Sequence, residues 1–324
     1  MPSPNLTEIA TTTLRSRTGK LADNVTKNNA LLNRLKKRGK VKVVTGGRNI
    51  VQELEYAENS TYKRYSGYET LNIQPSDVFT AAEFEYKQAA VAVSISGLEE
   101  IQNSGDEAII NLISSRISSA EKSMANNIAI DCYSDGTADG GKQIGGLQLL
   151  VSKTPTSGTV GGIDRATWAF WRNQATVSGT AATSANILDR MNTMALSLVR
   201  GTDRTDLIVT DTNYFQLYLN SLQAIQRITS TDMAAAGFTS LQYFGAGGAA
   251  DVVLDGGVGG GCPTNTMYFL NTDYLHFRPA AARNMVVIGD DRYSVNQDAM
   301  VKLIGFAGNM TISNARLQGV LGQS

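Results

Sequence analysis

Apolar residues step by three or four through Ile109, Ile113, Ile117, Ala120, Met124 and Ile128, which predicts an amphipathic helix with one buried face. Ser104 and Glu107 stand ahead of it at capping-box spacing, where a Ser hydroxyl and a Glu carboxylate each satisfy a free backbone N–H. The helix is expected over about 105–131, a strut roughly 40 Å long at 1.5 Å per residue. The segment before it, EFEYKQAAVAVSISG (83–97), alternates like a strand and then slips. Phe84 and Tyr86 share one face, with Glu83, Glu85 and Lys87 on the other; after Gln88 the apolar positions change parity to Ala89, Val91, Val93 and Ile95. A one-residue slip exchanges the faces of a strand. Either a bulge near Gln88 or a change of surroundings along the segment is expected.

Residues 41–97 read as extended. Val41, Val43 and Val44 begin a strand, Gly46 and Gly47 interrupt it, and YAENSTYKRYSGYETLNIQPSD (56–77) is polar, rich in tyrosine and short of aliphatic residues. A two-stranded ribbon of this kind is marginal alone in water, so a neighbouring copy is expected to supply the surface it lies on. Ahead of the ribbon, Leu21, Val25, Leu32 and Leu35 recur at roughly helical spacing, with Gly39 as a stop. That stripe is thin, so the segment reads as an arm lying on something else.

The second half alternates helix and strand patterns. SANILDRMNTMALSLVR (184–200) carries Ile187, Met191, Met194 and Leu198 on one helical face; TDLIVTD (205–211) reads as a short buried strand and NYFQLYLNSLQAI (213–225) as a helix. Strands are expected at Thr239–Gly245, Ala250–Asp255, Met267–Asn271 and Tyr274–Arg278, with a further strand in the tail. GGVGGGC (256–262) has no periodicity and reads as a loop.

Composition narrows the class. The 324 residues are 42% hydrophobic and 18% charged, enough to fill a core, and the formal net charge is zero. No stretch is long and apolar enough to span a bilayer, and MPSPNLTEIATTT shows neither a basic leader nor an apolar signal core, so no secretion is expected. Cys132 and Cys262 suggest no disulfide framework. Zero net charge conceals a separation. From Arg15 to Lys42 the basic residues, among them Lys36, Lys37 and Arg38, face a lone Asp23. From Glu53 to Glu107 the acidic residues, among them Glu53, Glu55 and Glu58, face only Lys63, Arg64 and Lys87. Blocks of opposite sign pair within a chain or between copies of it, or simply form solvated faces.

Catalytic chemistry is scarce. Gly136 to Lys142 satisfies the first part of a phosphate-binding loop, but a helix precedes it, Gln143 stands where the Ser or Thr belongs, and Asp139 would repel phosphate. Asp131, Asp135 and Asp139 miss calcium-loop spacing and its closing Glu. A glycine-rich turn ending the helix is the expected role. His276 is the only histidine, and without a Cys or a second His it makes a poor metal site. Packing is its expected role.

The order of these parts resembles the major capsid protein of tailed bacteriophages, the Hong Kong 97-type fold. The strings that carry the resemblance are FEYKQAAVAVSISGLE, YSDGTADGGKQIGGL, DLIVTDTNYFQLYL and NTMYFLNTDYLHFRP. It implies an α+β chain with an N-terminal arm (1–44), an extended β loop (45–90) lying over a neighbouring subunit, a peripheral domain (91–159 and 286–324) holding the strut as spine helix, and an axial domain (160–285). It implies a structural protein, not an enzyme, with no cofactor or metal. Such a protein self-assembles as hexamers and pentamers into the icosahedral shell around double-stranded DNA, in the virion after assembly in the host bacterial cytoplasm. The implied further partners are a separate scaffolding protein, a portal and a decoration protein, and no membrane. Candidate inter-subunit contacts are Lys36, Lys37 and Arg38 on the arm with Glu53, Glu55, Glu58, Lys63 and Arg64 on the loop. A few relatives cross-link through this loop; no acidic catalyst or Asn partner can be assigned to Lys63, and no cross-link is expected. The alternatives are a bacterial nanocompartment (encapsulin-like) shell protein and a carboxylate-dependent hydrolase.

Overall fold

Leu31 and Leu35 lie one helical turn apart, so a helix through them buries both on one side. The computed structural model, which describes residues 29–102, 112–222, 240–245, 248–256, 260–288, 292–293 and 298–323, has that helix, α1 (Ala30–Lys37), with both leucines fully buried. Asn29 caps it by accepting the Leu32 N–H at 2.9 Å and donates its amide to Ala129 O at 3.1 Å. The expected stripe through Leu32 is corrected by one position, Leu31 with Leu35 forming the buried face and Leu32 half-buried; Leu21 and Val25 lie outside the described residues. After Gly39 the chain runs alongside a later strand of its own subunit. Lys42 N–H donates to Phe277 O and Val44 N–H to Pro279 O, both at 2.9 Å. From Asn29 to Val44, therefore, the arm packs on its own chain.

The ribbon follows. β1 (Ile50–Glu55) and β2 (Phe79–Phe84) pair antiparallel, Ile50 opposite Phe84. Alternation decides their faces: Ile50, Leu54, Ala82 and Phe84 are buried, while Val51, Glu53, Glu55, Phe79, Ala81 and Glu83 are exposed. The buried face joins the same core as Leu31 and Leu35, and Gln52 on that face accepts from Arg278 Nη2 at 2.6 Å. The ribbon base thus has a surface within its own subunit, where a neighbouring copy was expected to supply it. β3 (Lys87–Ser96) then leaves the ribbon to join another sheet, with Glu85 and Tyr86 between the two strands. The parity change near Gln88 is the junction of two strands with different company, not a bulge in one.

A short helix, α2 (Gly97–Gln102), precedes the strut, described as α3 (Leu112–Asp131). Ala120, Met124 and Ile128 are buried on one face of α3, as their spacing predicts. Arg116 turns off that face and grips Glu99 with two hydrogen bonds, 2.8 and 2.9 Å. The capping box Ser104–Glu107 and Ile109 lie outside the described residues.

The chain then turns through Gly136, Asp139, Gly140 and Gly141, all at positive φ. Gly146 closes the turn against the end of α3, where a Cβ would sit 2.4 Å from both Asp131 O and Ser134 N. Those are backbone atoms and do not yield. Gly146→Ala is therefore expected to destabilise the chain by about 1–3 kcal/mol or more, whereas Lys142→Ala, nine to ten ångströms of chain away from that contact on the order of the 3.3–3.6 Å per residue of extended backbone, is expected to leave the denaturation midpoint unchanged. Equal midpoints for the two variants would contradict the role of the loop as a packed turn.

Six strands form the central sheet: β4 (Gln174–Ser178), β5 (Leu207–Thr210), β6 (Ser240–Gly245), β7 (Gly248–Leu254), β8 (Thr266–Leu270) and β12 (Gly319–Gln323), in the order β4-β12-β8-β5-β7-β6. The strands β5 and β8 are buried end to end, which requires cover on both faces. Leu207, Val209, Tyr268 and Val320 face the core shared with α1 and α3; Ile208, Met267, Phe269 and Leu321 face a second core under α4 (Ile187–Ser197) and α5 (Thr212–Ser221). Gly319 lets α4 approach, since a Cβ there would lie 2.6 Å from Met194 Sδ.

The second sheet has four strands: β9 (Leu275–Val287), β10 (Arg292–Tyr293) and β11 (Ala299–Ile312), with β3 on the other side of β11. β11 spans the register from Ser96 to Lys87 along β3. The final strand was expected with 286–324 at the periphery. Instead β12 lies in the central sheet, parallel to β4 and antiparallel to β8, because Val320 and Leu321 have an apolar layer on each side there.

Candidate functional site

Beyond Glu55 the ribbon opens into a loop whose large side chains have no cover. Tyr62, Tyr65, Tyr68, Leu71, Ile73 and Phe79 are all exposed, Ile73 at 91% and Tyr68 completely. An exposed apolar cluster of this size marks a contact surface rather than a solvated loop. The loop is also internally organised. Lys63 pairs with Glu69 at 3.1 Å and donates to Thr70 O, and Arg64 stacks over the Tyr62 ring at 5.9 Å. At its base Tyr56 meets Phe170 at 5.6 Å and Trp168 at 6.0 Å between ring centroids.

The eight candidate contact residues fall in two places. Glu53 and Glu55 lie on the exposed face of β1, Glu58 stands just beyond it, and Lys63 and Arg64 sit in the loop. Lys36, Lys37 and Arg38 are exposed at the C-terminal end of α1, where cations complement the helix dipole. Arg38 reaches Asp206 at 3.3 Å and Asp273 at 3.5 Å of its own chain. Arg34 and Lys40, not singled out in the sequence, do the same: Arg34 pairs with Asp206 at 3.2 Å and Asp251 at 3.3 Å, and Lys40 with Asp273 at 3.2 Å. The signal available in the sequence was the spacing of Arg34 and Arg38, which puts both on one side of a helix. Their partners lie 172 residues away or more and left no local trace.

Buried titratable groups serve the core. Asp255 accepts from the Tyr133 hydroxyl and from the Ala30 N–H, joining the loop after β7 to the end of the strut and the start of α1. Burial pushes its carboxyl up to about 6, against the pull of those two hydrogen bonds. The native chain therefore takes up a proton between about pH 6 and pH 4 that the unfolded chain does not, and this group's contribution to stability falls as pH rises through that window. Asp255→Asn, which keeps an acceptor without the charge, is expected to gain about 2–3 kcal/mol at pH 7–8 relative to its effect at pH 4. Denaturation midpoints against pH check this, and parallel pH profiles of the two proteins would contradict it. His276 is buried in β9, and burial, then Arg278, Lys42 and Lys40, hold it down to about 4, so it is neutral at pH 7. Burial raises the thiols of Cys132 and Cys262 far above the range of reactive cysteines.

Among the described residues no group of three or more His, Cys, Asp and Glu side chains converges as a metal site, and no helix is long and apolar enough to cross a membrane. The turn 136–142 follows a helix and not a strand, and the next helical turn, Leu147–Leu150, has four residues. What the surface offers is contact: an uncovered aromatic loop and unpaired charges at its base.

Solved structures match the chain nearly end to end. The capsid asymmetric unit of cyanophage A-1(L) does so with a TM-score of 0.65 at 18% identity, over 94% of this chain and 94% of that one. The capsid of an empty GTA particle gives 0.57 at 11% identity, over 89% of each chain. The holo-SrpI encapsulin complex from Synechococcus elongatus PCC 7942 gives 0.51 at 8% identity, over 95% of this chain and 94% of that one. No protein-family model and no curated protein matches the sequence. The likeness establishes the α+β Hong Kong 97-type fold that the order of elements implied.

Proposed function

We propose, starting from a chain that folds as capsid subunits fold, that this protein is the shell-forming subunit of a tailed-phage capsid. Copies associate as hexamers and pentamers into a closed shell around double-stranded DNA. The observation that carries the reading is the end-to-end likeness to the cyanophage capsid subunit, 94% of each chain. The uncovered loop tip supports it, because a patch of one copy seated on a different patch of the next is the contact that closes rings. In this reading the chain is structural and not an enzyme, it needs no cofactor, and it acts in the virion after assembly in the host bacterial cytoplasm. A scaffolding protein, a portal and a decoration protein are its further partners.

The encapsulin likeness supports a second reading, a bacterial compartment shell holding protein cargo. The contents of the particle separate the two. Particles containing this chain, isolated from cells that produce it and treated with nuclease, are expected to release intact double-stranded DNA once the shell is broken. Particles that yield protein cargo and no DNA would replace the capsid reading with the compartment reading.

A further inference from the structure

Between the ribbon base and the body of the subunit runs a groove of about 600 Å³. One bank carries Glu55 and Glu58, the other Arg200 and Arg316, and Tyr56 and Phe170 pack against each other in its wall. Among the described residues none of these four charges makes an ion pair within the chain. Unpaired charges of both signs beside aromatic rings suit a segment that is itself aromatic and carries both signs. The loop tip has that composition. Tyr62, Tyr65 and Tyr68 are exposed, Arg64 makes no ion pair among the described residues, and Glu69 lies beside them.

We propose that this groove receives the loop tip of a second copy, Tyr62 to Ile73, with Arg64 of the incoming tip against Glu55 and Glu58. The inference rests on the shell reading and adds to it the receiving surface. Donor and acceptor patches differ, so the contact is heterologous and each copy gives one tip and takes one. Tyrosine suits this use: it buries a large ring at the cost of few rotatable bonds and keeps a hydroxyl for the wet rim of the groove.

Cross-linking between singly substituted chains tests it. Tyr68→Cys in one chain and Val199→Cys in a differently tagged chain place thiols at the tip and at the groove, where Val199 is exposed. The native thiols are both buried and do not compete. Coexpressed and oxidised, the two chains are expected to give a mixed-tag dimer, and a pair using Thr180→Cys, exposed elsewhere, is expected to lose it. Microscopy of the same samples keeps the two claims apart. Particles that form without the Tyr68–Val199 product overturn the groove assignment alone. A product from Thr12→Cys to Val199→Cys instead would give the groove to the N-terminal segment and overturn it equally. The absence of any particle removes the shell reading and the inference together.

Discussion

Replacing Arg34 with methionine is expected to destabilise the folded subunit by about 3 kcal/mol, the scale of breaking a buried ion pair on one side only. The Arg34 side chain is 14% exposed and bridges Asp206 and Asp251, which are 15% and 10% exposed. Asp206 keeps Arg38 and the Thr272 backbone and hydroxyl donors when Arg34 is removed. Asp251 keeps no ion pair among the described residues, so its charge is left in a low-dielectric site. Adding Asp251→Asn should recover a part of the loss, because removing both partners costs less than stranding one. Denaturant midpoints of the soluble subunit measure both. A loss below about 1 kcal/mol, the value of an exposed pair, would mean that the arm is not held by these contacts.

Changing Tyr62, Tyr65 and Tyr68 together to serine is expected to leave the subunit's fold and midpoint intact while preventing association. All three rings are exposed in the single chain, so the folded state loses nothing by their removal. In an interface each ring buries about 150–250 Å², and at about 25 cal/mol per Å² three rings supply several kcal/mol per contact. Every 1.4 kcal/mol lost raises the concentration needed for association about tenfold, which light scattering reads directly. Assembly at the native concentration would contradict the role of the loop.

What was legible in the sequence is what periodicity records. The parity change after Tyr86 located the passage from ribbon to sheet, and the three-four stepping through Ala120, Met124 and Ile128 gave the buried face of the strut. Continuous apolar runs such as Leu207 to Val209 announced strands covered on both sides. Long-range pairing left no such record. The arm looked thin because only Leu31 and Leu35 hold it by burial; the rest of its attachment is Arg34, Arg38 and Lys40 on carboxylates far along the chain. Lys36, Lys37 and Arg38 therefore do not form one contact set, since reversing Arg38 would also break its pairs with Asp206 and Asp273. The final strand, GVLGQ, is short and glycine-containing, and nothing in those five residues names β4, well over a hundred positions earlier on the scale of a whole domain, as its parallel partner. The groove below the ribbon escaped for the same reason: Glu55, Phe170, Arg200 and Arg316 meet only after folding.

The central claim is that copies of this chain close into a shell, and electron microscopy of the purified protein expressed alone tests it most directly. Closed particles, or rings of five or six subunits, are the predicted result. Monodisperse monomers at concentrations where the Tyr62, Tyr65, Tyr68 variant and the native chain behave alike would contradict it.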